Sequence, residues 1–185
     1  MSKKILLMGI MFLSIGLVGC QSGVDGSSEA KEAAFSDDVK KVKKKNDSLR
    51  ITYSEFKIDV PKNWEKTKVD NVDIFRIPGR DANISIKTID NANISLDSCI
   101  EKVKLYAQEE LKVTDIEENS LRVDNKELKT VMYNCVVNSN DLIYVNQAYM
   151  KLDDKIYVFT LVSNEDDDYE VDVDSFEKVI ATIKC

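Results

Sequence analysis

The chain has 185 residues and a formal net charge of -7, with 32% charged and 43% hydrophobic residues. This length suits one domain with short extensions, and the composition is that of a globular chain and not a disordered one. The acidic balance disfavours nucleic-acid phosphates, so no nucleic-acid partner is expected. The chain has no His, which removes the commonest general base and the commonest metal ligand together.

The chain opens with a short positive start, Lys3 and Lys4, followed by an apolar run from Ile5 to Val18. That is the secretory pattern, and the run is shorter than the roughly 20 apolar residues a spanning helix needs. It ends in Leu17-Val18-Gly19-Cys20. These residues resemble the lipobox of bacterial lipoproteins. The resemblance implies cleavage after Gly19 and a diacylglyceryl group on the Cys20 sulfur, so residues 1–19 read as a signal peptide. Loss of Lys3 and Lys4 takes the net charge from -7 to -9. Each buried CH₂ adds about 0.8 kcal/mol, and two acyl chains make a stable anchor where one is marginal. The expected address is the extracytoplasmic face of the cell membrane, with the membrane itself as a partner through Cys20.

Residues 20–48 read as the lipidated N-terminus and a tether. Apart from Phe35 the stretch has almost no large apolar residue, and between 21 and 48 six Lys balance six acids. Such a segment cannot bury enough surface to offset its ordering entropy. A flexible tether of this length spans about 30 Å. The run Lys40-Lys41-Val42-Lys43-Lys44-Lys45 reads as solvated linker, with contact to anionic headgroups or wall polymers as the alternative.

From 49 to 185 a single globular domain is predicted. Ile51–Val60 alternates with Phe56, Ile58 and Val60 on one face, and Pro61 stops it. Strands at Val72–Ile77 and Ile84–Ile89 follow, turning through Pro78-Gly79. Leu96, Cys99, Ile100, Val103, Ala107 and Leu111 recur at helical spacing, with Ser95 as N-cap and Asp97 in the first turn. Strands are predicted at Val113–Glu117 and Ser120–Val123, then at Leu128–Val137 and Leu142–Leu152. Turns fall at Asp124-Asn125-Lys126 and Asp153-Asp154. Lys155–Val162 is nearly all apolar and belongs at the sheet centre, covered on both faces. A last helix carries Phe176, Val179, Ile180 and Ile183, with Asp174 and Glu177 as a capping box. The predicted order is β-β-β-α-β-β-β-β-α: an α+β fold with a mainly antiparallel sheet of six to seven strands and helices on its faces.

Val60-Pro61-Lys62-Asn63-Trp64 resembles the Pro-x-Gly-Trp corner of PsbP-like domains, a group that includes DcrB-type lipoproteins of bacterial envelopes. Asn63 stands where that corner has Gly, a replacement tolerable because Asn also accepts a positive φ. The resemblance covers roughly Tyr53–Lys184. It implies an α/β/α sandwich and a binding or assembly role, and it carries over no catalytic set.

The remaining chemistry is sparse. Glu165-Asp166-Asp167-Asp168 with Glu170, Asp172 and Asp174 is the densest acidic patch, but it lacks the Gly and ligand spacing of a Ca²⁺ loop. With 33 acids in the chain, paired carboxylates of the glycosidase kind arise by chance. No nucleophile elbow, phosphate loop, dinucleotide fingerprint or zinc spacing is present. No catalytic residue, metal ligand or cofactor is therefore assigned. Cys99, Cys135 and Cys185 are odd in number; Cys99 on the helix stripe reads as a buried thiol, and a bond from Cys185 to either other stays open. Trp64, Tyr133, Tyr144, Tyr149 and Tyr157 are expected in the core, with a ligand groove as the alternative. The expected function is a non-catalytic binding or assembly domain acting on an envelope protein or polymer. The alternative is a small-molecule-binding or hydrolytic lipoprotein using pocket carboxylates.

Overall fold

The apolar run ending the last hairpin becomes the middle strand of the sheet, as its composition requires. A computed structural model describes residues 47–90, 93–137, 141–164 and 169–185. In chain order the elements are β1 Ser48–Thr52, β2 Lys57–Pro61, β3 Glu65–Val69, β4 Val72–Arg76, β5 Ala82–Ile89, α1 Leu96–Glu109, β6 Ile116–Val123, β7 Lys126–Val137, β8 Asp141–Leu152, β9 Lys155–Asn164 and α2 Tyr169–Ile180. Seven strands form one antiparallel sheet in the order β3-β4-β5-β9-β8-β7-β6, and β1 pairs with β2 as a separate hairpin. The fold is α+β, as expected.

Period-two alternation divides the sheet residues between two cores. On one face Val131, Tyr133, Ile143, Val145, Val158 and Val162 pack with Cys99, Ile100 and Ala107 of α1. On the other, Ile84, Ile86, Met150, Phe159 and Leu161 pack with Phe176, Val179 and Ile180 of α2 and with Phe56, Ile58 and Val60. One helix thus lies against each face. α2 ends at Ile180, so Ile183, expected on its stripe, is buried just beyond it; the chain then runs beside β2, where Lys57 and Lys184 exchange main-chain hydrogen bonds of 2.8 and 2.9 Å.

Turn chemistry fits the sequence. Asp124 and Asn125 take φ of 50° and 62°, the left-handed pair of a two-residue type I′ hairpin. Gly79 at φ 74°, after Pro78, closes a turn in which Arg80 N–H donates to Ile77 O at 3.3 Å, the arrangement of a type II turn. Ser95 caps α1, its Oγ accepting from Ser98 N–H at 3.1 Å.

Five expectations are corrected. The run 51–60 is two strands, because Tyr53 N–H bonds to Phe56 O at 2.9 Å and reverses the chain. Glu65–Val69 is an additional strand that its sequence hides: four of its five side chains are exposed, so it shows no alternation. The segments 113–117 and 120–123 are one strand starting at Ile116, while Val113 is buried in the preceding loop. Asn63 does not take a positive φ, so the corner does not use the conformational freedom that would excuse Asn there. Asp174 lies inside α2 and pairs with Lys178 at 2.5 Å, so it does not cap the helix with Glu177.

Candidate docking surface

The expected lipid site, Cys20, lies outside the described residues, as do the tether up to residue 46, the basic run 40–45 and the acids 165–168. Of the remaining acids, Asp172 is buried and Asp174 faces solvent beside Lys178. Among the described residues no three potential ligands assemble for a metal. Among the described residues no helix is long and apolar enough to cross a membrane.

Cys99, Cys135 and Cys185 are free thiols, the first two buried and the last exposed. Burial raises the thiols of Cys99 and Cys135 to about 11. Neither is a thiolate nucleophile at neutral pH.

One cluster has the residue types of a hydrolase. Ser54 Oγ lies 3.3 Å from Lys155 Nζ and 3.5 Å from Tyr157 OH. A lysine base must be depressed to accept a proton. Here the opposite holds: Lys155 pairs with Glu55 at 2.5 Å, and that hydrogen bond raises its pKa. Glu55 is pulled down to about 2, chiefly by Lys155 and then by Ser54 and Tyr157. The cluster is a clamp between the β1–β2 turn and the start of β9. Alongside it Tyr53 OH donates to Asp73 at 2.7 Å, and its ring stacks on Phe56 at 4.7 Å.

A second polar group crosses the α1-side face. Ser85, Thr160 and Gln147 stand side by side on β5, β9 and β8. Gln147 donates to Thr160 Oγ1 at 3.3 Å and accepts from Tyr149 OH at 2.7 Å. The row is largely self-satisfied; the buried Ser85 hydroxyl is the exception.

The five aromatics named from sequence separate. Tyr133, Tyr149 and Tyr157 are core residues, and Trp64 packs partly buried on the α2-side core. Tyr144 differs. Its ring stacks on Tyr169, the first residue of α2, with centroids 4.1 Å apart and planes at 27°. The register sets Tyr144 opposite Asn134 and Leu142 opposite Val136, with Asn146, Met132 and Glu117 in the next row. All lie on the α2-side face, beneath and beyond the first residue of α2, and Asn146 among them is buried. Val136 is 62% exposed, while Leu142, Tyr144, Met132 and Tyr169 are half-buried. Burial, the Tyr144 phenol group and the Glu117 carboxylate raise the Tyr169 pKa in that order, so its hydroxyl stays a donor at neutral pH.

The position of α2 sets this surface. Asp172 is 2% exposed; its Oδ2 accepts from Ser163 Oγ at 2.6 Å, and its Oδ1 lies 3.8 Å from Arg80 Nε. That contact ties the first turn of α2 to β9 and to the β4–β5 turn, one turn from Tyr169. The sequence offers no signal for the pairing: Tyr144 and Tyr169 are 25 positions apart, and Tyr169 follows an acidic run.

No protein-family model matches the chain, and no curated protein sequence matches it. Solved structures do share its fold. A cyanobacterial PsbP (CyanoP) from Synechocystis superposes with a TM-score of 0.58 at 14% identity, over 91% of this chain and 99% of that one. A Pseudomonas aeruginosa protein of unknown function gives 0.51 at 12% identity, over 73% and 94%. The Ran-binding protein Mog1p of Saccharomyces cerevisiae gives 0.50 at 11% identity, over 74% and 94%. The domain therefore has a PsbP-like fold.

Proposed function

We propose that the chain is an exported, lipid-anchored envelope protein whose PsbP-like domain binds an envelope protein or polymer without turning it over. One observation carries the binding half of this reading: an aromatic and apolar patch at one end of the α2-side face, in which Val136 is exposed and the stacked rings of Tyr144 and Tyr169 are half-buried. Rigid tyrosines expose large contact area at little entropic cost, and exposed patches of this kind mark interaction sites. The ionisable clusters support the non-catalytic half, because Lys155 and Glu55 are held in the charge states that disable them as base and acid. The lipobox and the composition of the tether support the address.

The test is affinity purification after crosslinking in the membranes of the producing cell, with Tyr144→Ala and Val136→Asp as comparators. A partner captured by the parent and lost by both variants is the expected result. Equal capture by all three removes the patch from the reading. Mass spectrometry of the membrane-extracted protein tests the anchor: the expected N-terminal peptide starts at an acylated Cys20, and an intact Met1 overturns it.

The small-molecule alternative has one observation in its favour, the buried and unpartnered Ser85 hydroxyl beside Thr160 and Gln147. A polar ligand there would raise the melting temperature progressively, as the logarithm of its concentration above Kd, and Ser85→Ala would abolish that rise.

A further inference from the structure

We propose that β6 is a self-association edge, through which two copies of the chain pair antiparallel and join their sheets into one. The sheet has two edges, β3 and β6. Edge strands invite pairing unless they are short, charged with Lys, bulged or covered. β3 is protected in this way, being five residues long with Lys66 and Lys68. β6 runs eight residues, Ile-Glu-Glu-Asn-Ser-Leu-Arg-Val, with no Pro, no Gly and no Lys, and its charges, Glu117, Glu118 and Arg122, are of mixed sign, so that a second copy can match them in place of being repelled.

The main-chain groups that β6 offers follow from its hairpin. The two-residue turn at Asp124-Asn125 makes Val123 and Lys126 a hydrogen-bonded pair. Such pairs alternate along an antiparallel ladder. Residues 117, 119 and 121 therefore point their N–H and C=O groups at β7. Glu118, Ser120 and Arg122 point theirs outward, to the open edge.

A two-fold axis perpendicular to the sheet keeps each face continuous across the new junction. Only residues of one face can then stand opposite each other, which leaves two central registers. With Asn119 opposite its own copy, Arg122 faces Ile116 and Glu118 faces Ser120. With Ser120 opposite its own copy, Glu118 faces Arg122 twice, and both pairs are hydrogen-bonded positions. Opposite charges across strands favour the second register. Arg122 is exposed and makes no ion pair among the described residues. Glu118 uses one oxygen on Lys104 at 3.0 Å and keeps the other. In its own domain Arg122 stands opposite Glu127 without an ion pair, and the second copy adds Glu118 as a further acid beside it.

A single edge ladder is a small interface, so the test traps it covalently. The full chain is expressed with Cys185→Ser to remove the exposed thiol, and Ser120→Cys or Asn119→Cys is added. Across a hydrogen-bonded pair the Cα atoms stand about 5.5 Å apart, within disulfide reach, whereas a two-residue offset exceeds about 7 Å. Under mild oxidation in cells the Ser120→Cys chain is expected to run as a covalent dimer. Asn119→Cys is expected to stay at the background level of the Cys185→Ser chain. Adding Arg122→Glu, which sets acid against acid at both ends, is expected to reduce the Ser120→Cys dimer several-fold. Absence of the Ser120→Cys dimer overturns the proposal. So does equal crosslinking at both positions, or a dimer indifferent to Arg122→Glu.

Discussion

Replacing Asp172 by Ala tests how α2 is held over the sheet, and with it the placement of Tyr169. The carboxylate is 2% exposed and accepts from Ser163 at 2.6 Å. A hydrogen bond to a charged acceptor contributes about 1.5–3 kcal/mol. The guanidinium of Arg80 lies farther off, at 3.8 Å, and its side chain is 19% exposed. Its loss of a counter-charge therefore costs less than the about 3–5 kcal/mol of a fully buried pair. A total of about 3 kcal/mol follows, near 10 °C in Tm for a domain of this size. Ser163→Ala removes only the hydrogen bond and should cost about half as much. Urea unfolding of the purified chain, followed by circular dichroism, measures both. The double variant Arg80→Ala/Asp172→Ala should show a coupling of about 1 kcal/mol. If Asp172→Ala unfolds within about 0.5 kcal/mol of the parent, the buried carboxylate is not what fixes α2.

The Glu55 clamp predicts an acid dependence. Its pKa falls from 4.5 to about 2 on folding, so its stabilisation is complete above the unfolded value and is lost as pH drops through the folded one. The urea midpoint of Glu55→Gln should lie below the parent at neutral pH and converge with it between about pH 4.5 and pH 2; a gap independent of pH would refute the ion pair. Maleimide should label Cys185 in the native chain and reach Cys99 and Cys135 only on unfolding, since both are buried with raised pKa values. Rapid native labelling of all three would contradict the packing of α1 on the sheet. At the β6–β7 turn Asn125 has φ 62°; Asn125→Gly should be neutral or better in thermal melts, and Asn125→Val should cost about 1–2 kcal/mol. Equal melting of the two would show that the turn does not need the left-handed conformation.

Much of the architecture is written in short-range patterns. The apolar run at 155–162 predicts a central strand, and β9 is fourth of seven. The three- and four-residue spacing of Cys99, Ile100, Val103 and Ala107 predicts α1, and Ser95 predicts its start. These signals are legible because burial on one or both faces imposes a period on neighbouring residues. The proposed export signal and lipid site at Cys20 rest likewise on local composition and order.

Other features have no local signature. β3 shows no alternation because it is an edge strand with little to bury, and only its pairing with β4 makes it a strand. Ser54 and Glu55 meet Lys155 across a hundred positions, and Tyr144 meets Tyr169 one turn from the Asp172–Ser163 contact of α2 with the sheet. Strand order, helix placement and the limits of what a helix covers depend on the whole chain closing on itself. The residues of the open patch could thus be named from sequence only in part, and their assembly into one surface was decided by the tertiary structure alone.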